Sequence, residues 1–284
     1  MILAVKKVFF IVILSLSLIC FADFTYAKTD KPLLTPISFQ IEIQDWEAVN
    51  KIIPKYSLFT VIDVESGKSF NVQRRAGSRH ADVQPLTRED TRIMKEIYDG
   101  NWSWRRRAVL ILADENLIPA SMHGMPHGAG SLPNGFCGHF CIHFMGSTTH
   151  RTGKADLSHY VMILKAAGRI DEYMNNLPPS QLLNVFFVTI KNRDKGLVKK
   201  IAISNQKNIK KDLMKIKKIE AIQWTLPQTK ETESSSLETE IPVEVNLFIK
   251  DKGRIRTKLS FTFVRTSPIS PWKVNIDPLF SSIN

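Results

Sequence analysis

Apolar and β-branched residues dominate 58–64, and polar and apolar positions alternate over 69–72, on either side of Glu65-Ser66-Gly67-Lys68. Two β-rich runs around a glycine-containing turn predict a hairpin. Thr87 stands three residues before Asp90, and Ile93, Met94 and Ile97 follow at helical spacing, so a capped helix is expected there. Asp99-Gly100 closes it. Residues 108–112 and 117–122 predict a second hairpin across Asp114-Glu115-Asn116, whose second strand runs into His123. Residues 137–144 alternate like a further strand and 146–150 read as a loop. Leu157, Val161, Leu164 and Ala167 form an apolar stripe along a helix expected over 155–174. Upstream, Ile41-Glu42-Ile43 alternates briefly within a mixed lead-in.

Asn175-Asn176-Leu177-Pro178-Pro179 then interrupts the pattern and the composition shifts, which places a domain boundary here. Beyond it, 181–191 predicts an apolar-faced helix and the lysine-rich stretch 209–219 a shorter one. Residues 229–240 are polar and acidic, as in a loop. Residues 243–250, 254–265 and 272–276 alternate as three strands, the first two joined at Asp251-Lys252-Gly253. Helices followed by an antiparallel meander make an α+β arrangement. The expected organisation is α+β throughout: a β-rich domain over 35–176 and a smaller α+β domain with a curved antiparallel sheet over 178–284.

The first 27 residues change the picture. Lys6 and Lys7 precede an apolar run over 8–22, and Thr25-Tyr26-Ala27 suits cleavage, the layout of a secretory signal peptide over residues 1–27. A membrane span needs about 20 apolar residues, so membrane attachment is expected only through an uncleaved signal sequence. The chain is read as secreted, extracytoplasmic or cell-wall associated. Its formal charge of +12 favours anionic partners. With no nucleic-acid-binding motif, an anionic cell-wall polymer suits that charge better than nucleic acid.

All seven histidines fall between His80 and His159, and the segment from His123 to His143 holds four of them with Cys137 and Cys141. Imidazoles and thiols serve reactivity or metal binding more than packing. On an extended strand the Cα atoms of Cys137 and Cys141 would stand about 13 Å apart, beyond the roughly 7 Å that a disulfide tolerates, and only a tight turn would bring them together. Cys141 is a candidate nucleophile. A thiol becomes potent beside an imidazole, and the glycine-rich chain from His123 can return so that the two side chains meet across adjacent strands. The competing reading is a metal site. Cys137, His139, Cys141 and His143 occupy alternate positions and are good zinc or copper ligands by type. Neighbours on one strand face lie about 6.5 Å apart, so His123 or His127 would have to complete such a site. A third reading is a non-catalytic cell-wall binding protein in which the histidines brace loops. His127, His139 and His143 are expected to line the substrate or support the site, His80 to line the cleft with Asp82, and His150 to cap the following helix. Trp102 and Trp104 are expected to pack beside the basic run Arg105-Arg106-Arg107.

His123-Gly124, followed by Gly138-His139-Phe140-Cys141-Ile142, resembles the signature of the L,D-transpeptidase (YkuD-type) family: a His-Gly, a glycine-containing loop, then Ser-x-Gly-Cys-Ile/Val-Arg. The first hairpin, with Asp63 and Ser66-Gly67-Lys68, is similar to that family's opening strands, and the likeness covers about residues 58–150. It implies a mixed β-rich, L,D-transpeptidase-like catalytic domain over 35–176 and an exported transferase acting on peptidoglycan stem peptides without a cofactor. Catalytic roles would fall to Cys141 as the acylated nucleophile, His123 as its base and Gly124 as a turn residue beside them. Gly138, Phe140 and His143 stand where the family has Ser, Gly and Arg, which points to a divergent member that transfers or hydrolyses. The element order of 178–284 resembles the cystatin-like, curved-sheet accessory domains appended to secreted enzymes.

Overall fold

In a computed structural model of the chain, residues 40–283 are described, apart from 151, 207–208 and 228–234. The expected signal segment lies outside the described residues. Among those residues, no helix is long and apolar enough to cross a membrane. After helix α1 (Trp46–Ile52), six strands follow: β1 (Leu58–Asp63), β2 (Ser69–Ala76), β3 (Ala81–Pro85), β4 (Arg106–Ala113), β5 (Asn116–His123) and β6 (Phe140–His143). They close a barrel in the order β1-β2-β3-β6-β5-β4, every neighbouring pair antiparallel.

Register explains the barrel's filling. Val61 pairs with Phe70 and Ile111, Ile111 with Ile118, Met122 with Ile142, and Ile142 with Ala81. These residues belong to one buried apolar cluster. Because side chains alternate along a strand, the positions between them point to the opposite surface. There the same strands pair Asp82 with Cys141, Ser121 with His143, and Arg106 with His123. Between β3 and β4, helix α2 (Arg88–Ile97) begins at the expected box: the Asp90 N–H donates to Thr87 Oγ1, and the Thr87 N–H donates to Asp90 Oδ2 at 2.9 Å.

Two loops and a helix cover the polar surface. Helix α3 (Leu157–Ala166) packs on β4 and β5, with Asp156 at its N-cap accepting the Ser158 and His159 N–H groups. The long helix expected over 155–174 is divided: Gly168 sits at φ +71°, a left-handed conformation that ends α3 before α4 (Ile170–Asn175). Next come α5 (Pro179–Lys191), α6 (Lys195–Ile201), strand β7 (Ala202–Ile203) and α7 (Ile209–Lys215). Strands β8 (Ile219–Thr225), β9 (Glu238–Ile249), β10 (Gly253–Val264) and β11 (Lys273–Asn275), then helix α8 (Asp277–Ser282), complete the chain. The second sheet runs β7-β11-β10-β9-β8. It departs from a purely antiparallel sheet, because β7 pairs with β11 in parallel. Phe186 and Phe187 of α5 pack against Phe261 of β10 in a second apolar cluster.

Candidate functional site

The polar surface of β3, β5 and β6 is where the titratable side chains meet. Cys141 is 2% exposed, with its Sγ between two acceptors: His127 Nε2 at 3.3 Å and Asp82 Oδ1 at 3.6 Å. Burial pushes the thiol's pKa up, and the Asp82 charge adds to the rise. Both Cys137 and Cys141 are free thiols.

His127 reaches Cys141 because the glycine-rich loop folds back on itself. His127 and His139 exchange both backbone hydrogen bonds, at 3.0 and 2.8 Å, and their rings stand 4.4 Å apart. Gly138 makes this possible. Its φ is +109°, and a Cβ there would lie 2.4 Å from the His127 carbonyl oxygen. Gln84 ties the loop down by donating to the Gly138 carbonyl and accepting the Ser131 N–H. His127 Nδ1 faces the Met125 carbonyl at 3.1 Å, which leaves Nε2 towards the thiol. Burial lowers the His127 pKa, partly offset by that backbone contact. A neutral imidazole is therefore its form near pH 7.

His123 occupies a different place. It ends β5 one residue past the last β5–β6 pair, Met122 with Ile142, and no hydrogen bond joins its side chain to that of Cys141. Its Nδ1 accepts the Met125 N–H at 3.4 Å, and its ring lies against Trp104 at 4.7 Å and His127 at 5.1 Å. Burial holds its pKa well below the ordinary value. Gly124 serves packing: a Cβ there would meet the Tyr98 ring at 2.4 Å. The chain thus contains two His-Gly pairs four residues apart, and the second one contacts the cysteine.

The remaining candidates divide. His143 lies in a stack of three imidazoles, with His80 at 4.5 Å on one side and His159 at 3.7 Å on the other. Burial pushes its pKa down to about 2. His159 donates or accepts at Ser121 Oγ through Nδ1, at 2.9 Å. Cys137 is exposed and lies before the start of β6, so the four alternate positions 137, 139, 141 and 143 do not share one strand face. His139 and Cys141 come together; Cys137 and His143 do not join them. His139 Nδ1 faces the Ala129 carbonyl at 3.0 Å, and its buried Nε2 makes no hydrogen bond but lies 3.8 Å from Asp82 Oδ1.

His80 is buried and meets Asp82, as expected, with Nε2 3.1 Å from Oδ1. Burial raises the Asp82 pKa, but the His80 hydrogen bond and the nearby imidazoles outweigh it and bring the carboxyl to about 2. His150 does not cap α3, because Asp156 does; its Nε2 lies 3.0 Å from Asp82 Oδ1 and 2.7 Å from His80 Nε2. Trp102 packs edge-on against Phe136, while Trp104 is half exposed over His123. Arg106 and Arg107 pair with Asp156 and Asp63. No family model, no curated protein and no solved structure matches the chain.

Proposed function

We propose that the protein is an exported, cysteine-dependent acyltransferase of the L,D-transpeptidase kind that acts on peptidoglycan stem peptides through a thioester on Cys141. The observation that carries this reading is the 3.3 Å contact between Cys141 Sγ and His127 Nε2, with His127 oriented by the Met125 carbonyl. Nucleophile, base and orienting group in series are the arrangement that activates weak nucleophiles.

The electrostatics select the form of the step. The raised thiol pKa and the adjacent Asp82 charge disfavour a resting thiolate. Neutral His127 therefore takes the thiol proton as Sγ bonds to the acyl carbon, and returns it to the leaving amine as the C–N bond breaks. An acceptor amine or water then attacks the thioester, its proton passing through His127 back to the thiol. With Cys141 2% exposed, the donor reaches it once a covering loop has moved. Export and the cell-wall substrate rest on the N-terminal segment, the basic charge and the L,D-transpeptidase resemblance.

Intact-mass measurement after incubation with a carbapenem tests the reading. The expected result is one adduct of the whole lactam on Cys141, absent in Cys141→Ala. An adduct on Cys137 alone, or none with folded protein, refutes it.

A further inference from the structure

Three side chains of this surface neither attack nor carry a proton in the proposed acyl transfer, and they converge. His80 precedes β3, Asp82 lies on it, and His150 comes from the loop after β6. The distances are 3.1 Å from His80 Nε2 to Asp82 Oδ1, 3.0 Å from His150 Nε2 to the same oxygen, and 2.7 Å between the two imidazole nitrogens. His80 Nδ1 lies 2.7 Å from the Thr148 carbonyl, which can only accept. Nδ1 therefore carries a proton, and when the ring is neutral His80 Nε2 presents a lone pair to the other two atoms. With both rings neutral, only His150 Nε2 can supply a proton among these three atoms, which lie about one hydrogen bond apart. A cation in their midst satisfies all three.

Cys141 Sγ supplies a fourth donor, 3.6 Å from Asp82 Oδ1, and the four donor atoms lie within 4.8 Å of one another. Ligands bonded at about 2.0–2.3 Å to a tetrahedral ion stand roughly 3.3–3.6 Å apart, so the cluster needs only small side-chain adjustments to close on one. We propose that His80, Asp82, Cys141 and His150 bind a divalent d-block cation of the zinc class.

Donor chemistry sets the class. Two imidazoles, one carboxylate and one thiolate suit zinc and its neighbours, whereas magnesium and calcium prefer all-oxygen sites. The charges close as well: a carboxylate, a thiolate and a dication sum to neutrality in a buried place. The outer contacts have the expected form, with His80 fixed by a backbone carbonyl and braced by the His143 ring stacked on it. The thiol proton goes to solvent when the ion binds. A consequence that rests on the acyl-transfer reading is that metal-loaded protein is inactive, because a ligated thiolate is not free to attack.

Cobalt titration of the chelator-stripped full chain tests the site. One Co²⁺ per chain is expected, with visible d–d bands and a near-ultraviolet sulfur-to-cobalt charge-transfer band. Asp82→Asn and His150→Gln should each weaken binding by at least about 100-fold, since even outer-shell changes cost 10–100-fold. His150 is half exposed, so its variant stays folded by thermal melt, and Cys137→Ser binds as before. Absence of the charge-transfer band, or undiminished binding in folded His150→Gln, overturns the proposal. Carbapenem acylation is read separately on the stripped protein, so acylation without cobalt binding sinks the metal site alone. Cobalt binding without acylation sinks the acyl-transfer reading alone.

Discussion

Strand β9 has twelve residues and along Ile241, Val243, Val245, Leu247 and Ile249 buries every second one, leaving Pro242 and Phe248 between them in solvent. Strand β6 has four residues and buries all of them: Phe140 and Ile142 in the apolar cluster, Cys141 and His143 on the opposite surface. Both strands obey the same period of two. The difference lies in what covers the second face, water for β9 and the loops and α3 for β6. A desolvated polar surface loses the cheap stabilisation that water provides, so it needs internal partners. In this molecule those partners are imidazoles and a carboxylate around one thiol. The contrast separates a part of the chain that holds the fold from the part where the titratable side chains meet.

The largest effect that sharpens this separation is expected in the C-terminal core. Phe186 is fully buried against Phe187 and Phe261. Phe186→Ala should destabilise the protein by about 3–5 kcal/mol in denaturant melts, as large-to-small changes in cores do. The protein that remains folded should acylate at an unchanged rate. A slowed rate per folded molecule would break the comparison and give the C-terminal sheet a part in the chemistry.

A smaller effect is expected on the barrel side, and it depends on pH. Burial holds the His159 pKa well below its ordinary 6.5. Below pH 6.5 the unfolded chain binds a proton at this position that the folded chain refuses. Stability is therefore full above that pH and is lost as the pH falls, by about 1.4 kcal/mol for each pH unit per such histidine. At pH 5 the loss from one histidine is at most about 2 kcal/mol. His159→Gln keeps a polar partner for Ser121 and cannot titrate. Melts at pH 7 and pH 5 should differ by that much less in the variant, and an equal difference in both proteins would contradict the account.

Several elements were legible in the sequence because local chemistry specifies them. Thr87 and Asp90 mark the start of α2, and the alternation about Asp251-Lys252-Gly253 marks the β9–β10 hairpin. Strand β3 was not legible: Ala81-Asp82-Val83-Gln84-Pro85 alternates, but over five residues ending in proline, and its polar positions are buried rather than in solvent. Helices α1 and α6, seven residues each, were too short to show a period. For the candidate site, composition pointed to the segment where the titratable side chains gather, and the expected pairing of His80 with Asp82 is present. Spacing could not distinguish His123-Gly124 from His127-Gly128, since both are His-Gly pairs before the same cysteine. What decides between them is tertiary: Trp104 lies over His123, and the backbone bridge between His127 and His139 turns His127 onto the thiol. His150 likewise joins the cluster through a loop whose path no local pattern encodes.

The account turns on which histidine serves Cys141. The rate of carbapenem acylation, followed by intact mass on metal-stripped protein, answers this in two variants. His127→Ala should slow acylation by about 10²- to 10⁴-fold, the range for loss of a general base, with His123→Ala affecting it far less. The opposite order, with His123→Ala crippling the reaction and His127→Ala leaving it intact, would contradict the account.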